Sequence, residues 1–135
     1  MAEKIKVLLV NPMERPKLIE IEQTLETLQK LVGGYIEVLY PWDSDNVGLI
    51  SCDEAKLNGS MPNRCLEDDE NNVYDIIFGS FIIAGLTDES FGSLSDEMVD
   101  KYSKKFAYPE AFFLRADNEL ICRKLGCAEP LRVLG

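Results

Sequence analysis

The sequence predicts an α+β fold: a mainly antiparallel or mixed sheet of five to seven strands, with two principal helices on one face. Three observations predict it. Short runs rich in Val, Ile and Leu recur along the chain, bounded by Gly, Pro, Asn and Asp. Only two segments, Leu25–Val32 and Asp96–Phe106, combine helical spacing of apolar residues with matching caps. Strands and helices segregate instead of alternating regularly, which argues against a parallel sheet.

Lys4–Val10 reads as a strand closed by Asn11–Pro12, and Lys17–Glu22 as a half-buried strand with Ile19 and Ile21 on one face. The two suit a hairpin around Asn11–Pro16. Thr24 is placed to cap the helix Leu25–Val32, with Glu26 favourable in its first turn. Gly33 supplies the left-handed geometry that ends it. Tyr35–Tyr40 and Val47–Cys52 are the next strands. Asp53–Arg64 reads as turn and loop, and Leu66–Asn72 as an acidic exposed loop. Tyr74–Phe78 and Phe81–Gly85 form one long strand or two strands broken near Gly79. Thr87–Leu94 is a loop, after which Ser95 caps the helix Asp96–Phe106. Pro109 bars helix continuation. Ala111–Arg115 and Glu119–Arg123 flank Ala116-Asp117-Asn118, which suits a hairpin; a short helix after Pro109 is the alternative.

One hundred and thirty-five residues with 46% apolar content suffice for one sizeable core. The longest nearly uncharged apolar run, Ile76–Leu86, is too short to span a membrane. No signal-peptide pattern is evident, so a cytoplasmic location is expected. The net charge is −10 and unevenly placed: residues 1–100 carry twenty acids and seven bases, residues 101–135 four acids and seven bases. Direct binding to a phosphate backbone needs clustered Lys and Arg, which the first hundred residues do not offer. The acidity reads either as a solvated surface or as mimicry of DNA toward a DNA-binding partner.

There is no histidine, which removes Ser-His and Cys-His nucleophile pairs and every His-ligated metal site. Cys52, Cys65, Cys122 and Cys127 contain no CxxC pair and read as unlinked thiols in a reducing compartment. No metal, cofactor or catalytic residue is expected. The acids Glu67–Glu70 lack the spacing of a calcium loop and read as solvated. Ser80 has no G-x-S-x-G context and no base.

Four residues stand out as candidates for ligand contact. Tyr40 and Trp42 lie at a strand end, where an aromatic face either caps the core or stacks on a ligand. Arg64 is one of only two bases between Glu37 and Asp75. It forms either an internal salt bridge or a bidentate anion contact, and Asn63 beside it either serves a turn or reads a polar edge. If the Tyr40–Asp43 strand end meets the Pro62–Arg64 loop, the set suits a base plus a phosphate.

Leu25–Val38, with its L-x-x-L-Q-x-L-V-G-G-Y-I-E-V, resembles a family of small uncharacterised proteins of bacteriophages, plasmids and conjugative elements, a domain of unknown function. The Pro-Asn-Arg at Pro62–Arg64 is similar to the family's Asn-Arg segment. DIIFGSFIIAG at Asp75–Gly85 is similar to its D-I-I-x-G-T-F-x-I-x-G block, and Leu94–Phe106 to the helix that follows. The resemblance covers about Lys6–Phe113. It implies a family-like domain over residues 1–113, with 114–135 as an extension packed on it, and a mobile-element setting. It supplies no catalytic residues, cofactor or partner.

The expectation is therefore a non-enzymatic accessory protein of a phage or mobile element that acts by binding. It would counter host defence by sequestering a nucleotide-like ligand or occupying a host protein, without binding nucleic acid or membrane. The alternatives are an acidic DNA mimic and an enzyme using carboxylates such as Asp43, Asp45 or Asp75.

Overall fold

The structure, a computed structural model, describes residues 3–42, 44–118, 120–126 and 132–134. Its centre is an antiparallel sheet in the order β2-β1-β7-β4-β3, formed by β1 (Lys4–Val10), β2 (Lys17–Glu22), β3 (Ile36–Leu39), β4 (Val47–Cys52) and β7 (Phe81–Leu86). A two-residue strand, β8 (Phe91–Gly92), pairs with β7 as the sixth. A separate ribbon joins β5 (Pro62–Glu67) to β6 (Val73–Phe78), and a small sheet holds β9 (Glu110–Leu114), β10 (Leu120–Lys124) and β11 (Arg132–Leu134). The helices are α1 (Leu25–Val32) and α2 (Asp96–Lys105). The α+β class and the size of the main sheet follow the sequence, and the hairpin reading of the tail holds, with β9 and β10 paired.

The two helices lie on opposite faces of the sheet, not on one. Ile5 and Val7 of β1, Ile50 and Cys52 of β4, and Ile82 and Ala84 of β7 pack with Leu28 and Val32 of α1. The alternate residues Leu8, Val10, Val47, Leu49, Phe81 and Ile83 pack with Tyr102 and Phe106 of α2 and its cap. Successive strand side chains point to opposite faces, so a strand apolar at every position needs cover on both. Every residue of β4 is buried, as is all of β7 but its last. That continuous run, rather than an alternating one, is what places one helix on each side.

Local caps work as the residues dictate. Thr24 Oγ1 accepts from the Thr27 amide at 3.1 Å, and Ser95 Oγ from the Met98 amide at 3.2 Å. Gly33, at φ 88°, takes the left-handed conformation that stops α1.

Three loop expectations differ. Pro62–Arg64 belongs to β5, Leu66 is buried in β5 instead of exposed, and β8 interrupts the 87–94 loop. The acids that follow, Asp68–Glu70, form the turn of the ribbon, where the Asp68 carboxylate accepts from the amides of Glu70 and Asn72, both at 2.9 Å. Charge made the whole segment look like a loop; Leu66 and Glu67 belong to β5, and residues 68–72 form the loop.

Candidate functional site

A register shift lies between Pro62 and Arg64, which face Phe78 and Ile77 of β6. Asn63 is thus an extra residue, and a bulge of this kind re-aims neighbouring side chains. Consecutive residues that would otherwise point to opposite faces are both fully buried here: Asn63 and Arg64 each have 0% exposure.

Their polar groups turn to the protein. The Asn63 amide donates to the carbonyls of Val10 (2.9 Å) and Gly79 (2.7 Å). Its side-chain oxygen accepts from Arg64 Nη1 at 2.7 Å. Arg64 also donates through Nε and Nη2 to the Phe106 carbonyl, at 3.3 and 3.1 Å, through Nη2 to Glu14 O at 2.5 Å, and through Nη1 to Asn63 O at 3.3 Å. All of its N–H groups are occupied. Burial pushes the guanidinium below its ordinary value, and the negative charge of Glu110 acts in the other direction. Among the described residues neither a salt bridge to Arg64 nor an open anion contact is present. Arg64 instead ties the end of α2, the β1–β2 turn and β5 together.

Trp42 is half-buried, its ring centroid 4.4 Å from that of Tyr102 and 6.0 Å from that of Phe106. Tyr40 is exposed at 60%. Trp42 and Arg64 therefore approach the same residue, Phe106, one through its ring and the other through its carbonyl. Asp43 lies outside the described residues. Asp45 accepts from Lys101 Nζ at 2.6 Å and from the Tyr102 hydroxyl. The Lys101 ammonium and then that hydroxyl hold its carboxyl below the usual range. Asp75 is paired with Lys56 at 3.0 Å.

A second constellation sits where β5 meets β9 and β10. The sulfurs of Cys65 and Cys122 are 3.6 Å apart, and the Glu110 carboxylate accepts from the Cys65 amide at 3.3 Å. One ligating atom from each of the three residues lies within 4.8 Å of the other two, and all three residues are buried. The Cys122 thiol, burial and the Glu110 charge together push the Cys65 thiol far above its ordinary range. Cys52 is elsewhere, in the α1 core across the sheet, and Cys127 lies outside the described residues. Cys52 therefore does not join Cys65 and Cys122.

Cys65 and Glu110 border a cleft of about 270 Å³, whose rim carries Glu67, Asn71, Lys104, Lys105 and Lys124. Three lysines and two glutamates thus share one hollow, and Lys104 Nζ also pairs with Asp100 at 3.0 Å. The Lys105 ammonium also lies 6.0 Å from the centre of the Trp42 ring. A larger hollow of about 430 Å³ opens near the start of α2, but its charged lining is Asp45 and Glu97, which disfavours an anion.

The sequence matches the family described as Domain of unknown function (DUF3846) over residues 5–107. The chain belongs to that family. No curated protein and no solved structure matches it. Within the DUF3846 span lie Asn63, Arg64, Cys65, Gly79, Ser80 and Gly85; Glu110, Cys122 and Lys124 lie beyond it. Three features of the span are architectural. Asn63 and Arg64 staple elements together, the Ser80 hydroxyl donates to Asn11 Oδ1 at 2.6 Å, and a Cβ on Gly85 would stand 2.5 Å from Ser93 O. Reasoning from sequence missed the Cys65–Glu110–Cys122 grouping, because its members come from three strands with no spacing signature. The basic balance of the last 35 residues was a signal for the lysines of the cleft, not for this grouping. No helix among the described residues is long and apolar enough to cross a membrane.

Proposed function

We propose that this protein acts by binding, as a non-enzymatic accessory protein of a phage or mobile element. Its ligand would be a small anion of nucleotide type, held in the cleft rimmed by Lys104, Lys105 and Lys124. The observation that carries the reading is that three lysines, against two glutamates, line this one cleft on a chain of net charge −10. Local positive charge in a concave site concentrates an anion even where the surrounding field repels it. The Asn71 amide could read a polar edge of the bound molecule.

Several observations support binding over catalysis. The chain has no histidine, and the Ser80 hydroxyl is directed to an amide oxygen, not a base. Asp45 and Asp75 are each engaged by a lysine. The mobile-element setting rests on the resemblance of the Leu25–Val38 and Asp75–Gly85 motifs. Sequestering a host signalling nucleotide, or occupying a host protein, would then counter host defence.

Native mass spectrometry and thermal shift with AMP, ADP, cyclic AMP and inorganic phosphate test the reading. Binding should weaken as salt rises, and the Lys105→Ala/Lys124→Ala double variant should bind about tenfold more weakly or worse. No shift with any of these anions, or equal binding by a folded double variant, would remove the proposal. Capture of a host DNA-binding protein with no nucleotide effect would favour acidic mimicry instead.

A further inference from the structure

We infer that Cys65, Cys122 and Glu110 form a zinc site at the floor of this cleft, with its fourth position open to the cleft. The inference does not depend on the anion reading, because the site is defined by these three side chains alone.

Geometry is the first support. A tetrahedral ion with bonds of about 2.3 Å to sulfur and about 2.0 Å to oxygen holds two sulfurs roughly 3.8 Å apart and a sulfur and an oxygen roughly 3.5 Å apart. The sulfurs here are 3.6 Å apart, and the carboxylate oxygen falls within the same 4.8 Å grouping. A disulfide would need about 2.05 Å. Neither Cys65 nor Cys122 is in a disulfide.

The chemistry of the donor set is the second. Two thiolates and a carboxylate suit Zn²⁺, whereas Mg²⁺ and Ca²⁺ prefer oxygen donors throughout. A carboxylate buried beside two thiolates is costly, and a divalent cation held by all three offsets that cost. On binding, each thiol releases its proton to solvent and its sulfur bonds to zinc. Two thiolates and the carboxylate then carry three negative charges. Zinc supplies two positive charges, and the neighbouring Arg64, on which Glu110 already acts, supplies one.

Support from outside the donor set is the third. The Cys65 amide donates to Glu110 Oε2, which orients the carboxylate. The donors are fixed on three strands, β5, β9 and β10, so they are arranged before the ion arrives. Cys65 and Glu110 border the cleft, which provides a route in and room for a water or an anion as fourth ligand.

The test uses the full chain, purified under reducing conditions without chelator and then titrated with Zn²⁺ alone. Native mass spectrometry and elemental analysis should give one zinc per chain. Cys65→Ser and Cys122→Ser should each lose about 100-fold or more in zinc affinity, Glu110→Gln less, and Cys52→Ser nothing. Replacing Zn²⁺ by Co²⁺ in the unaltered protein should give thiolate-to-cobalt charge-transfer absorption with the visible bands of a tetrahedral ion, a readout that does not depend on any variant folding. Failure to retain stoichiometric zinc, a cobalt spectrum without thiolate bands, or unchanged affinity in folded Cys65→Ser and Cys122→Ser would overturn the site. So would formation of a Cys65–Cys122 disulfide when the reductant is removed and dissolved oxygen takes up the two electrons and two protons in the presence of excess zinc, which would assign the pair to redox chemistry.

Discussion

Arg64 shows how burial changes the meaning of a residue. On an acidic stretch of sequence, a lone arginine next to an asparagine invites a ligand. In the fold its guanidinium is spent on the oxygens of Asn63, Glu14 and Phe106. Hydrogen bonds from a charged donor are worth more than neutral ones, and deleting the donor leaves buried carbonyls unsatisfied. Arg64→Ala should therefore cost about 3 kcal/mol in urea unfolding. Arg64→Lys should recover only part of that, because an ammonium lacks the planar fork. Gly85 makes a related point without charge. A methyl group there meets the Ser93 carbonyl, so Gly85→Ala should lower stability by about 1–3 kcal/mol, read as a fall in melting temperature. Neither role was legible from sequence. The bulge that buries both Asn63 and Arg64 comes from pairing with β6, and the approach to Gly85 comes from β8, a two-residue strand with no pattern of its own.

At the scale of elements, the sequence reads well where the physics is local. Capping residues, the Gly33 stop and the apolar periodicity of α1 and α2 are properties of contiguous residues, and they appear where the chain places them. Thr24→Ala should cost about 1 kcal/mol through loss of the cap, measurable by thermal unfolding. What holds α2 to the sheet is not local. Lys101 and Tyr102 reach 56 and 57 residues back to Asp45, in the turn before β4. The folded carboxyl of Asp45 lies below its unfolded value. Its stabilising effect is therefore complete above the ordinary Asp range and is lost as pH falls through the depressed folded value, below 3.8. Asp45→Asn should be destabilised by about 1 kcal/mol at neutral pH. Its loss of stability on acidification should also be shallower than that of the parent. Equal acid limbs in urea titrations from pH 6 to pH 2 would contradict this linkage.

Across the whole molecule, architecture and candidate chemistry fall in different places. The motifs that mark the family lie in the two-faced sheet and the β5–β6 ribbon, where they make turns, staples and close approaches. The lysine-rimmed cleft and the cysteine–glutamate cluster lie at its border with the small β9–β10–β11 sheet. Composition gave a hint of this division, since the basic residues gather toward the C-terminal end. The assembly of Cys65, Glu110 and Cys122 stayed hidden because Cys65 lies 45 residues from Glu110 and 57 from Cys122, and only the tertiary fold brings them together. The most direct test of the division is an amide chemical-shift titration of the uniformly ¹⁵N-labelled full chain with ADP. Shifts should centre on Cys65, Asn71, Lys104, Lys105 and Lys124, leaving Tyr40 and Asn63 in place. Shifts centred on Tyr40 and Trp42, or no shift anywhere, would contradict it.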